Sequence, residues 1–304
     1  MKPVMRDFLW MGTGAVALLV VMLVLAHFRN AQTPFAQFDL KAKRVDLVGR
    51  MQLDLAAAAE AEKSAVLAIA DEESQMFADQ ARAASAKVDQ ERRELGELLT
   101  AGGTQGEKDL LAQFTTAFAE FQRIDNDLLA LAVKNTNLKA SGLAFGPAAT
   151  ALLEMDAALA RLTTEDAKVL RLAADARIAA WRLLALLPPH IAEESDPKMD
   201  DLEAQIAKED QQVRQSLDAL AALLAFGGEP DLKAATARYA EFSKIKAQIL
   251  ALSRENTNVR SLSLSLNQKR KVTLVCQATL STLQQAIQEE PIARVTTGKA
   301  ITLH

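Results

Sequence analysis

Apolar residues recur at three- and four-residue intervals through most of the chain, the spacing of one helix face and not of a strand. The pattern predicts four long helices, over about 36–101, 107–161, 164–226 and 231–290. Turn chemistry separates them. Ala101-Gly102-Gly103-Thr104-Gln105-Gly106 joins the first pair and Phe226-Gly227-Gly228-Glu229-Pro230 the second. Glycine closes helix C-termini, and Pro230 suits a first helical turn. Thr163-Thr164-Glu165-Asp166 resembles an N-terminal cap between the pairs. Gly146-Pro147 is expected to kink or end the second helix, and Pro188-Pro189 to kink or break the third. The expected fold is all-α: an elongated antiparallel four-helix bundle made of two helical hairpins. Six shorter helices in two stacked modules are the alternative.

The N-terminus follows a different pattern. Phe8 to Phe28 holds no Asp, Glu, Lys or Arg and matches the roughly 20 apolar residues of a membrane span. Lys2 and Arg6 precede it, and Trp10 sits near one interface. A cleaved signal peptide ending at Val24-Leu25-Ala26 is the other reading, although the run exceeds a usual signal core. The expected layout is a cytoplasmic N-terminus (1–7), a transmembrane signal anchor (8–28), a periplasmic bundle (36–290) and a C-terminal tail (291–304). The resulting location is the bacterial inner membrane, single-pass, with most of the chain in the periplasm.

The sequence also repeats itself. At an offset of 121 residues, Glu72-Glu73-Ser74 meets Glu193-Glu194-Ser195, and 10 of the 22 positions from 72 to 93 are identical. A second window aligns Ala119-Glu120-Phe121 with Ala240-Glu241-Phe242 and Asn135-Thr136-Asn137 with Asn256-Thr257-Asn258, with 10 identities in 21 positions. An Ala-rich background does not produce two such triplets at one offset. The repeats are expected at about 45–162 and 166–283, one hairpin each.

A coiled-coil spacing runs through Ile124, Leu128, Leu131, Asn135, Leu138, Gly142 and Phe145, and again through Ile245, Ile249, Leu252, Asn256, Val259, Ser263 and Leu266. Asn135 and Asn256 therefore fall in apolar seams. Similar readings of the first and third helices place Glu73 and Glu194 there. Glu73 and Asn135 are equally far from their turn, roughly 42 Å along each helix at 1.5 Å per residue. Two Glu and two Asn are thus expected to form one polar layer. Such a layer fixes helix register, or it holds a small ligand or cation, because buried carboxylates need partners. The candidate ligand-contacting set is Glu73, Asn135, Glu194 and Asn256 with Asn137, Asn258, Lys139 and Arg260. The last two otherwise lie along a solvated face.

Composition narrows the chemistry. The chain has 57 Ala and 45 Leu but 12 Gly, 8 Pro and one Tyr, which excludes an all-β fold. One cysteine, Cys276, rules out an intrachain disulfide and is expected in the core. Three scattered histidines give no zinc spacing. His190 and Glu193 form an H-x-x-E pair loosely like di-iron ligation, but Ile69 stands where the second His would be needed. No phosphate loop, nucleophile elbow or basic stripe occurs, and the formal net charge is −4. A non-enzymatic protein with no metal, no cofactor and no nucleic-acid partner is expected.

Asn135-Thr136-Asn137-Leu138-Lys139 with Leu143-Ala144-Phe145-Gly146-Pro147-Ala148, and Asn256-Thr257-Asn258-Val259-Arg260-Ser261-Leu262 running on to Lys269-Arg270-Lys271, resemble segments of the four-helix-bundle sensory modules of methyl-accepting chemotaxis proteins. The resemblance covers most of 36–290 and rests on these two motifs. It implies a periplasmic bundle, often a homodimer, that senses small molecules and passes a displacement through the membrane. Such receptors carry a second membrane helix and a signalling coiled coil, whereas the last helix here is expected to end near Glu290. The functional expectation is therefore a membrane-anchored, sensor-like binding module acting through a protein partner. The alternative is a structural or assembly subunit of a larger envelope complex.

Overall fold

The computed structural model describes residues 34–162, 165–223 and 229–291, and within them every regular element is helical. The expected anchor at 8–28, the residues before it, Thr163-Thr164, Gly227-Gly228 and the tail beyond 291 lie outside the described residues. In chain order the helices are α1 (Pro34–Leu67), α2 (Asp71–Gly102), α3 (Gln105–Ala132), α4 (Thr136–Leu143), α5 (Ala149–Ala160), α6 (Ala167–Ala192), α7 (Asp196–Leu223), α8 (Pro230–Glu255), α9 (Thr257–Leu264) and α10 (Arg270–Glu289). A π-helical turn, π1 (Ala144–Ala148), joins α4 to α5, and another, π2 (Ser265–Lys269), joins α9 to α10.

Two of the four expected long helices are hairpins. The chain reverses at 68–70, so that Arg50 of α1 meets Glu91 and Glu94 of α2. It reverses again at 193–195, and α6 packs along α7. The other two expected helices are interrupted at 133–135 and at Asn256 but continue. The described residues thus form six helical stretches, the helix number of the alternative read from the sequence. Pro188 and Pro189 lie inside α6, which ends three residues after them.

Side chains cap two of the helix starts. Thr104 and Glu107 form a reciprocal capping box at α3: Glu107 N donates to Thr104 Oγ1 (3.3 Å), and Thr104 N donates to Glu107 Oε2 (2.9 Å). Asp166 caps α6 by accepting from Lys168 N. At Gly103 a Cβ would stand 2.9 Å from the Leu99 backbone, so the turn needs glycine.

The described chain divides into two compact units. The first takes α1 up to Leu55, α2 from Ala86, α3 up to Thr116 and α10 from Val275. Its core includes Leu47, Met51, Leu95, Leu99, Phe114, Cys276 and Leu283. Basic side chains collect open carbonyls here: Lys41 reaches Gln288 O and Glu290 O, and Arg44 reaches Gly102 O and the Glu107 carboxylate. The second unit, Ala56–Ser85 with Ala117–Leu274, holds the polar layer. Its largest apolar cluster joins α4 through α8, with α5 and α4 packed along α8.

One stretch among the described residues, Gln105–Ala160, has the length and apolar composition of a membrane span. Its apolar face is buried in the protein, through Phe114, Phe118, Phe121, Ile124 and Leu128, and the helix is interrupted at 133–135. Those features are those of a core helix.

Candidate functional site

The polar layer forms where α3 gives way to α4 and α8 to α9. Asn135 has φ 51° and ψ 37°, and Asn256 has φ 52° and ψ 38°. Both are left-handed, a conformation Asn tolerates and β-branched or bulky residues do not. Each break restarts a helix and leaves its first backbone N–H groups without intrahelical acceptors. These are capped across the pair. Thr136 N donates to Thr257 Oγ1 and Thr257 N donates to Thr136 Oγ1, each at 3.2 Å. Asn137 N donates to Asn258 Oδ1 and Asn258 N to Asn137 Oδ1, each at 3.1 Å. α4 and α9 are thus each other's caps.

The side-chain amides close the arrangement. Asn137 Nδ2 donates to Asn256 Oδ1 (2.8 Å) and to Ile191 O at the end of α6 (2.6 Å). Asn258 Nδ2 donates to Asn135 Oδ1 (2.9 Å). Asn256 Nδ2 reaches Glu193 O, and Asn135 Nδ2 reaches Asp71 Oδ1. Asn135, Thr136, Asn137, Asn256 and Thr257 are buried, and Asn258 is partly so. Lys139 and Arg260 stand outside, exposed, paired with Asp71 (2.7 Å) and Asp196 (3.5 Å). The Lys139 ammonium and then the Asn135 amide hold the Asp71 carboxyl below the usual carboxylate range.

Glu73 and Glu194 are not in the layer; both are exposed. Glu73 belongs to the acidic first turn of α2, with Asp71 and Glu72, where carboxylates face water and favour the helix N-terminus. Glu194 lies in the reversal before α7. The groups that meet the two asparagines are Asp71 and the Glu193 carbonyl, two residues and one residue away from the expected glutamates. The seams also shift. Beyond Asn135, apart from Asn137, the buried positions are Thr136, Ala140, Ala144 and Ala148, and Leu138 and Phe145 are exposed. Beyond Asn256 they are Thr257, Ser261, Ser265 and Lys269, and Leu266 is exposed. A left-handed residue turns the following helix away from the coiled-coil register.

A second network adjoins the layer. His190 is fully buried near the end of α6, with Nδ1 against Ser253 Oγ (2.8 Å) and Nε2 against the Glu203 carboxylate (3.0 Å). Ser253 Oγ also donates to His190 O. Arg254, then His190, holds the Glu203 carboxyl below its ordinary range. Glu193, the other member of the H-x-x-E pair, accepts from Ser195 N. Among the described residues no group of three His, Cys, Asp or Glu is placed to hold a metal ion.

The sequence reading missed Thr136 and Thr257 as bonding residues, although the triplets contained them. It also missed a buried ion pair between Lys269 of π2 and Asp125 of α3, whose signal was a lysine at the end of the four-residue stripe Thr257, Ser261, Ser265, Lys269. Chemically, the layer ties two helical stretches of the chain to each other. No protein-family model matches the chain, and no curated protein sequence matches it significantly.

Proposed function

We propose that this protein is a membrane-anchored, extracytoplasmic helical module of the sensor-like, non-catalytic kind, working through a small ligand or a protein partner. On this reading residues 8–28 anchor it in a bacterial inner membrane with most of the chain in the periplasm. We also propose that it arose by duplication of a unit of about 121 residues. The helix bounds at α4/α9 and at π1/π2 differ by that same offset, as do the two left-handed asparagines.

The observation that carries the reading is the reciprocal clasp at the two helix breaks. Breaks in long helices are places where a displacement starts or stops, and these two are tied so that neither moves alone. The resemblance to chemoreceptor sensory modules lies in the same residues. The test is a thermal-shift screen of the exported domain against organic acids, amino acids and cations. A saturable shift that is lost in the double variant Asn137→Ala and Asn258→Ala is expected. Silence across all three classes overturns the ligand reading.

One observation favours the second reading, a structural subunit of an envelope complex. The layer's amides are spent on one another, on backbone carbonyls and on Asp71, which suits a fastening more than a binding site. Mild-detergent purification from native membranes separates the two: a stoichiometric set of envelope proteins supports the subunit, and an isolated protein supports the sensor.

A further inference from the structure

The second unit buries a charge cluster that the clasp does not use. Glu62 of α1, Asp125 of α3 and Lys269 of π2 are 1%, 2% and 1% exposed. Lys269 Nζ donates to Asp125 Oδ1 and to Phe121 O (3.1 Å), and it lies over the Phe121 ring at 3.1 Å from the centroid. These directions match the three donors of an ammonium. Ser265 of π2 lies near enough to the Glu62 carboxyl to favour its charged form, while Glu62 Oε1 is buried with no hydrogen-bond partner. The Glu62 carboxyl therefore lies within electrostatic reach of an ammonium that is paired with Asp125.

The fold does not require this cluster. The residues 121 positions away from Glu62, Ser265 and Lys269 are Leu183, Ala144 and Ala148, all buried and all in one apolar cluster. The place of Asp125 is taken by Lys246, which pairs with Asp210 of α7. The same π-helical turn thus packs once on a dry core and once on a charged one.

We propose that Glu62 is a proton-binding site: its carboxyl is neutral when the cluster is closed, and its ionisation places a second negative charge beside the Lys269–Asp125 pair, straining the seat of π2 on α3. The groups facing it are Ser265 and Lys269 of π2 and Asp125 of α3, with Lys63 exposed on its own helix. Burial, the largest influence, pushes the Glu62 carboxyl above the ordinary glutamate range; Ser265 and Lys269 pull it back, and Asp125 raises it further. The stripe Thr257, Ser261, Ser265, Lys269 runs one turn at a time from the clasp to this carboxyl, so the proton acts one element away from the two breaks.

The test is an infrared pH titration of the full-length protein in detergent, following the carboxylic-acid C=O band. A band persisting above the ordinary glutamate range, absent from Glu62→Gln and still present in Glu91→Gln, is expected. Ser265→Ala copies Ala144 and keeps the fold; loss of a hydroxyl that favours the charged carboxylate moves the band's midpoint to higher pH. Absence of any such band, or a band unchanged in Glu62→Gln, overturns the proposal. So does a midpoint in Ser265→Ala equal to that of the wild type.

Discussion

The turns π1 and π2 have the same length, follow helices of the same length and sit at the same distance from a left-handed asparagine. Their contents differ. π1 is Ala-Phe-Gly-Pro-Ala, with Ala144 and Ala148 facing apolar neighbours, and π2 is Ser-Leu-Asn-Gln-Lys, with Lys269 holding Asp125. Proline alone would explain a widened turn in π1, because Pro147 has no N–H to give the carbonyl four residues back. π2 has no proline and widens all the same. The shape is therefore set by how each stretch leaves its break and crosses α8 or α3. A buried ion pair sits on that shape on one side only.

The largest expected effect comes from what the two turns share. Replacing Asn135 and Asn256 by Leu forces two branched residues into the left-handed region, at about 1–2 kcal/mol each, and removes the clasp amides. Urea unfolding should show a loss of about 4 kcal/mol or more. A rise in stability would mean that the asparagines serve only as costly register markers.

Lys269→Ala should cost about 3–5 kcal/mol, because it leaves Asp125 buried without its cation. The corresponding change on the other side, Lys246→Ala, should cost about 1 kcal/mol, because Asp210 keeps Arg214 and the Tyr239 hydroxyl. Equal losses would abolish the contrast between a dry and a charged half.

Glu62→Gln tests the same contrast by pH. The folded carboxyl titrates above its unfolded value of about 4.5, so the folded state binds the proton more tightly. That stabilisation is complete below the unfolded value and is lost as pH rises through the folded one. Thermal melting of the wild type should therefore fall over that window, and the Gln variant should fall less, ending more stable at neutral pH. Glu91, also raised by burial, lies in the first unit and sets the residual slope. The smallest effect belongs to Pro147→Ala, under about 1 kcal/mol with helix content unchanged by circular dichroism, since π2 forms without proline. A large gain in helicity would return the cause of π1 to the proline.

Helical class, the repeat offset and the asparagine layer were legible because each leaves a mark in the sequence: a period, two triplets, an amide in an apolar seam. The reversal at 68–70 was not, because Ala68-Ile69-Ala70 contains none of the residues that usually announce a turn. Ile69 is 80% exposed there, so hydropathy pointed the wrong way as well. Glu73 and Glu194 were misplaced for the same reason: a seam drawn through an unseen reversal assigns the wrong face. The buried stripe after each asparagine was hidden by one backbone angle that no side-chain pattern records. Asp125 and Lys269 are separated by 144 residues, and only packing brings them together.

The reciprocal caps also have a consequence in time. Thr136 finds its acceptor on Thr257, and Asn137 finds its own on Asn258, each 121 residues later in the chain. During synthesis the first break must wait, with its helix start open to water, until nearly the whole second half has emerged. Contacts that distant slow folding, since a long loop must close before they contribute. The clasp is then among the last parts to set, and a chain truncated before Asn256 would keep its helices and lack the fastening between them.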